Sequence, residues 1–342
     1  MRANGYKDEF ADRIFEQIKG FGSYGFPESH AVSFALLVYV SSYLKCHYPA
    51  AFSAALLNSQ PMGFYAPAQL VADARKHGVE VRKPDVRYSC WDSTLEDDPG
   101  VAPLPDVWPA LRLGLRLIKG FSERAAEQLL AARAESAFVD VNDLVQRAAL
   151  DRRARDALAR ADALEGLAGN RHNAQWQIAG ARRRDDLFAG LDAPEDPIAL
   201  PEPAEGTDII SDYANLGLTL RRHPLALLRE TLSRKGVLQA RSFNRLADQQ
   251  PAHVAGLATI RQRPGSAKGT TFVTIEDETG PVNVVIWPSV FAQYRVAVTS
   301  ARLLRVIGHM QRAGPVTHCV ARHIVDDSAL LGALSVRSRD FH

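Results

Sequence analysis

The sequence predicts a multidomain chain, α-helical first and all-β at its C-terminal end. Three observations carry that expectation. Apolar residues recur at helical spacing from Lys7 to His77. A second helical region, from Leu111 to Arg184, is rich in basic residues and lies between two acidic, proline-bearing stretches. From Ala252 onward the apolar residues alternate in short runs, the mark of strands. The 342 residues suit two or three domains.

The elements follow in chain order. Lys7 to Lys19 places Phe10, Ile14, Phe15 and Ile18 on one helical side and meets Gly20, a natural C-cap. Glycines and Pro27 interrupt it, and Ser29 can cap a new helix running to Leu44. Pro49 fits the first turn of a helix reaching Asn58. A further helix covers Ala66 to His77, and Gly78 opens an extended piece, Val79 to Val81. Tyr88 to Leu111 lacks Lys and Arg and interleaves Asp92, Glu96, Asp97, Asp98 and Asp106 with prolines, so residues 89–110 read as an acidic, Pro-rich insertion. Asp185 to Asp208 reads as an acidic tether, and residues 185–235 as linker and short helices.

Between these stretches, Leu117 to Ser122 joins an apolar segment to a helical Glu123 to Ala134. That is the hairpin of a helix-hairpin-helix motif, with Ser122 where a second glycine is usual. A tight turn at a helix N-terminus offers backbone N–H groups to a phosphate, which makes Lys119, Gly120, Phe121 and Ser122 candidate DNA-binding residues; the same pattern also describes a plain helical corner. A weaker second copy, Leu164 to Gly169 ahead of Asn170 to Ile178, makes residues 111–184 a tandem.

The last module offers five strands: Ala252 to Arg263, Thr270 to Glu276, Val282 to Trp287, Arg302 to Met310 and Val316 to Val325. A helix, Ser289 to Val298, falls between the third and fourth. This is the order of an OB-fold, assigned to residues 236–334 with a tail at 335–342. The loop after its first strand supplies Arg261, Arg263 and Lys268, and the second strand supplies Phe272, as candidate contacts to single-stranded DNA. Trp287 suits burial against the helix more than base stacking.

Composition narrows the classes. The net charge of +2 hides basic modules behind acidic linkers. The longest apolar run, Ala31 to Val40, is too short to span a bilayer, the N-terminal residues lack a signal peptide, and three scattered cysteines (Cys46, Cys90, Cys319) fit a reducing cytoplasm. Two-metal nucleotidyl transfer needs converging carboxylates. Pro84-Asp85-Val86-Arg87 and Pro105-Asp106-Val107-Trp108 each offer one, Glu276-Asp277-Glu278 reads as a solvated hairpin, and in a strand His318 and Cys319 point to opposite faces. No catalytic residue and no metal ligand is assigned.

Phe21-Gly-Ser-Tyr-Gly-Phe-Pro-Glu-Ser-His-Ala31, Tyr43-Leu-Lys-Cys-His-Tyr-Pro49 and Ala54-Ala-Leu-Leu57 resemble the fingers of bacterial C-family DNA polymerases, the alpha subunit of DNA polymerase III. Leu216 to Leu225, Arg261 to Gly269, Glu276 to Gly280 and Ser338 to His342 look like the error-prone, damage-inducible branch of that family. The resemblance implies that residues 1–88 are part of the fingers, with Ser29, His30 and Lys45 near the incoming nucleotide. It also implies that the Pro-Asp-x-Asp palm lies upstream, so that this chain is a DNA-binding C-terminal portion inactive alone. The chain needs no cofactor, and Mg²⁺ serves the whole polymerase. Implied partners are DNA, accessory translesion proteins and, through them, the sliding clamp; Arg184-Asp-Asp-Leu-Phe188 faintly resembles a clamp-binding peptide. The alternatives are a stand-alone, non-enzymatic single-strand-binding module and a fragment of the replicative alpha subunit.

Overall fold

The computed structural model describes residues 8–24, 28–62, 65–97, 108–181, 200–314, 316–332 and 339–341. The chain opens with α1 (Asp8–Tyr24), α2 (Glu28–His47), α3 (Pro49–Asn58) and α4 (Pro67–Lys76). Gly20 does not end α1, since one glycine costs a helix only about 1 kcal/mol. Helix α2 begins one residue before Ser29, which therefore sits inside the first turn and not at the cap. Helices α3 and α4 bury Leu57, Leu70, Val71 and Ala74 against Leu111 and Leu113. Helix α2 instead leaves Leu36, Leu37, Val38 and Tyr39 exposed.

A small sheet follows, built from β1 (Val81–Arg82), β2 (Thr94–Glu96) and β3 (Ala110–Arg112), with β3 central, parallel to β1 and antiparallel to β2. Its strand β2 and the turn before it belong to the stretch expected to be an insertion. Ser89, fully buried, donates to the Leu113 carbonyl at 2.8 Å. The Arg112 guanidinium meets Glu96 at 2.8 and 2.9 Å and, with Arg82, holds that carboxyl below its ordinary range. The missing cations come from just outside the stretch, which is why residues 89–97 are built in. Residues 98–107 lie outside the described residues.

The helical module comprises α5 (Glu123–Glu135), α6 (Val141–Ala148), α7 (Arg152–Arg160), α8 (Glu165–Ala168) and α9 (Arg171–Gly180). Its starts are written in capping residues. Ser122, Asp140, Asp151 and Asn170 accept from backbone N–H groups three residues on, at 3.2, 2.8, 2.7 and 2.9 Å. Leu115, Ile118, Leu129, Leu144, Leu158 and Leu164 fill the core between them.

Helices α10 (Glu205–Asn215) and α11 (Pro224–Arg234) lead to α12 (Ala240–Phe243) and the barrel. The barrel has β4 (Pro251–Gln262), β5 (Thr271–Asp277), β6 (Gly280–Ile286), α13 (Pro288–Gln293), α14 (Arg295–Ser300), β7 (Leu303–Ala313) and β8 (Val316–Asp326); β9 (Arg339–Phe341) adds in parallel to β4. The ring runs β4-β5-β6-β8-β7 and closes on β4, with β6 and β8 parallel. This is the expected OB-fold, with the one predicted helix divided at Tyr294. Gly308 marks the register shift of β7; a Cβ there would fall 2.0 Å from the Val320 carbonyl oxygen, so the strands close only over glycine.

Glu276, Asp277 and Glu278 do not form a solvated hairpin. Asp277 is buried, accepts from the Ala240 N–H at 2.8 Å and pairs with Arg229 at 3.2 Å, while Glu278 takes Arg229 at 2.6 Å. The carboxylates dock α11 and α12 onto the barrel, a use that turn composition could not reveal.

Candidate nucleic-acid interface

At the first hairpin a short turn, Leu115–Leu117, leads into Ile118, and the Phe121 N–H closes the bend on the Ile118 carbonyl at 3.1 Å. Gly120 takes φ +84°, the left-handed region in which a Cβ is penalised. The Phe121 side chain is buried in the module's core, and the Ser122 hydroxyl caps α5. Two of the four expected contacts therefore serve the hairpin's own structure, Phe121 from the core and Ser122 as a cap at the surface. Lys119 points its side chain to solvent while its N–H bonds the Asn215 carbonyl at 2.8 Å, tying the hairpin to the end of α10. Arg153, missed in the sequence, brings its guanidinium 3.9 Å from where a Gly120 Cβ would sit; it is exposed and has no acidic partner among the described residues. A short fragment of sequence cannot show that the start of α7 folds back beside Gly120.

The second hairpin repeats the local geometry but not the chemistry. Gly169 has φ +83° and Asn170 caps α9, yet the next residue, Arg171, is buried and pairs with Asp208 and Asp212 of α10. Arg221 extends the network to Asp162 at 3.1 Å and Asp208 at 3.0 Å, and Lys83 reaches Asp162 at 2.9 Å. This copy faces protein.

On the barrel, Arg261 is not available as expected. Its Nε donates to the Val298 carbonyl at 2.6 Å and its terminal nitrogen to the Ala301 carbonyl, closing the last turn of α14. Arg263 is exposed, with its guanidinium carbon over the Phe291 ring, 4.8 Å from the ring centre; Lys268 is exposed with φ +48°. Phe272 is half-buried opposite Val285. Trp287, for which burial was favoured, is 50% exposed. Val284 and Ile286 take the inward positions of β6, so the alternation turns Trp287 to the opposite face just before Pro288 starts a helix.

Of the fingers-like residues, His30 is exposed and tilts against Phe34 at 4.6 Å. Lys45 pairs with Asp73 at 2.9 Å. The Ser29 side chain and the whole of Arg184 to Phe188 lie outside the described residues.

Among the described residues, the candidate carboxylates do not converge on a two-metal centre. Asp85 holds Arg87 in a two-point pair at 3.1 and 2.8 Å, Asp277 and Glu278 are held by Arg229, and no group of three metal-capable side chains occurs among the described residues. His323 meets the Tyr294 hydroxyl at 2.5 Å, and burial pushes the Cys319 thiol up to about 12.

A helix-hairpin-helix motif family matches residues 78–174, and an OB-fold nucleic acid binding domain family matches residues 253–324. Error-prone DNA polymerases from Alkalilimnicola ehrlichii and Azoarcus sp. are each 54% identical, and one from Pseudomonas fluorescens 52% identical, over 100% of this chain. Along its whole length the chain is similar to error-prone DNA polymerases. It spans about a third of the length of these relatives, 33%, 32% and 33% respectively. Among solved structures, asparaginyl-tRNA synthetase from Pyrococcus horikoshii overlaps 26% of this chain and 22% of its own at 20% identity, with a TM-score of 0.23. No helix among the described residues is long and apolar enough to cross a membrane.

Proposed function

We propose that this chain is the DNA-holding portion of an error-prone, template-directed DNA polymerase. The first hairpin holds duplex phosphates through Lys119, Arg153 and the backbone around Gly120. The barrel holds single-stranded template at Arg263, Lys268 and Phe272. Helices α1 and α2, by resemblance to polymerase fingers, stand beside the incoming nucleotide with Ser29 and His30. Lys45 meets a phosphate there only by sharing itself with Asp73.

The observation that carries this reading is the whole-length similarity to a third of error-prone polymerases, joined to two nucleic-acid-binding modules in one chain. The exposed apolar flank of α2 supports it, because such a surface suits a helix seated against further polypeptide. The Mg²⁺ ions of nucleotide addition are held by carboxylates outside this chain. Accessory translesion proteins, the sliding clamp and a cytoplasmic setting follow from the resemblance alone.

Primer extension with the chain, Mg²⁺ and four deoxynucleotides should give no product above a blank. Fluorescence anisotropy should show duplex and single-stranded DNA bound, each more weakly as salt rises. Extension by a clean preparation, or no DNA binding at low salt, overturns the reading.

A further inference from the structure

We infer that Trp287 is a stacking platform for an unpaired nucleobase of a single DNA strand, at the rim of the barrel where β6 passes into α13. The inference rests on the proposal that the barrel binds single strands, and it deepens that proposal by naming where a base is held.

The local register places the residue. Thr271 pairs with Ile286, the last residue of β6, so Trp287 lies beside the end of the loop joining β4 to β5. Period-two alternation gives it the face that carries Asn283 and Val285. Phe272 lies directly opposite Val285 and so diagonal to Trp287, within reach for aromatic side chains. Two aromatic groups thus follow one another on the face turned from the barrel core, Phe272 half-buried beside the buried Val285 and Trp287 open.

The surroundings are cationic. A Cβ on Gly269 would lie 3.5 Å from the Pro288 ring and 3.6 Å from the Arg263 guanidinium, so the loop, Arg263 and the start of α13 meet at this rim. The Arg263 guanidinium already stands over the Phe291 ring, and Lys268 is exposed in the same loop. From Gln262 to Thr270 and from Trp287 to Arg295 there is no Asp or Glu. Gly269, with φ +85° and no side chain, leaves the backbone open to close approach.

A large indole half open to water beside two cations that have no carboxylate partner among the described residues has the two features that single-strand sites combine: a flat surface for a base and positive charge for the flanking phosphates. An acidic peptide would satisfy the charge but leave the indole without a flat partner.

The test uses the full chain and two labelled strands of equal length and charge, oligo-dT and an oligomer of abasic tetrahydrofuran residues. Trp287→Ala should weaken oligo-dT binding about tenfold, leave the abasic strand unaffected and leave the salt slope unchanged, because stacking releases no counterions. Trp287→Phe keeps a ring and should retain most of the affinity, while removing the part of the intrinsic fluorescence that oligo-dT quenches in the parent. A parent that binds oligo-dT no better than the abasic strand, or a Trp287→Ala chain that binds both strands as the parent does, overturns the stacking role while leaving single-strand binding intact. Equal losses on the two strands also overturn it. A parent that binds neither strand overturns the functional proposal and this one with it.

Discussion

Arg171 and Asp208, 37 positions apart, form a buried ion pair that fastens the second hairpin to α10. The same guanidinium reaches Asp212, and Arg221 forms an ion pair with Asp208 at 3.0 Å and a looser one with Asp212 at 3.7 Å. Burial, helped by the Asp162 and Asp212 carboxylates, holds the Asp208 carboxyl above its ordinary range although Arg171 and Arg221 pull it down. Removing Arg171 would leave two carboxylates in a dry site short of one cation. Arg171→Met should lower unfolding stability by roughly 3–5 kcal/mol, and adding Asp208→Asn and Asp212→Asn should restore much of it. Urea melts of the single and triple variants check this.

His223 gives a pH dependence of definite sign. Its Nδ1 accepts from the Leu225 N–H at 3.2 Å at the start of α11, a bond open only to the neutral ring, and burial lowers its pKa to about 4. The folded state therefore binds fewer protons than the unfolded one between about pH 6.5 and pH 4. Stability should fall as pH falls through that window, by about 3 kcal/mol in all from this group. His223→Asn, which can still cap, should flatten the fall; melts at pH 7, 5.5 and 4.5 measure it.

Gly120 and Arg153 separate a phosphate site from a structural corner. Arg153→Ala should leave the melting temperature unchanged, weaken duplex binding alike for unrelated sequences, and reduce the slope of log affinity against log salt by about 0.9. At Gly120 an added Cβ meets only the Arg153 guanidinium, at an ordinary 3.9 Å, so Gly120→Val should cost stability through the left-handed φ, on the order of 1 kcal/mol or more, as well as duplex affinity. Unchanged affinity in both variants would leave the hairpin a structural corner.

Arg261 and Lys268 should respond oppositely. Arg261→Ala removes the donors that close α14 and should lower the melting temperature while the salt slope on single strands stays put. Lys268→Ala should leave melting alone and flatten that slope by about 0.7.

The barrel was legible because β5 keeps its alternation intact, Thr271, Val273, Ile275 and Asp277 inward and the residues between them half open. The helices were legible from the spacing of their apolar residues and from Pro49 at a first turn, while the caps Ser122 and Asn170 show only in the structure. What the sequence hid lies in pairings at long range. Arg261 and Arg263 look alike in the chain, and only the placement of α14's last carbonyls separates a structural arginine from an exposed one. Nothing near Arg171 in the sequence shows that its partners are aspartates of α10. Glu276 to Glu278 looked solvated until Arg229 arrived from α11.

The closed ring of strands also sets a tempo. Joining β4 to β7 brings Val254 to Val306 across two intervening strands and two helices, whereas α5 and α6, or α8 and α9, meet their neighbours after a turn. Loop-closure entropy has to be met before distant pairings return anything, so the helical half should be formed while the barrel is still open. During that interval Val273, Ile275 and Val284 are uncovered and the strand edges unpaired, and crowding at high concentration competes with closure. Refolding yield should therefore drop with protein concentration through loss of β signal, with helical signal recovered early.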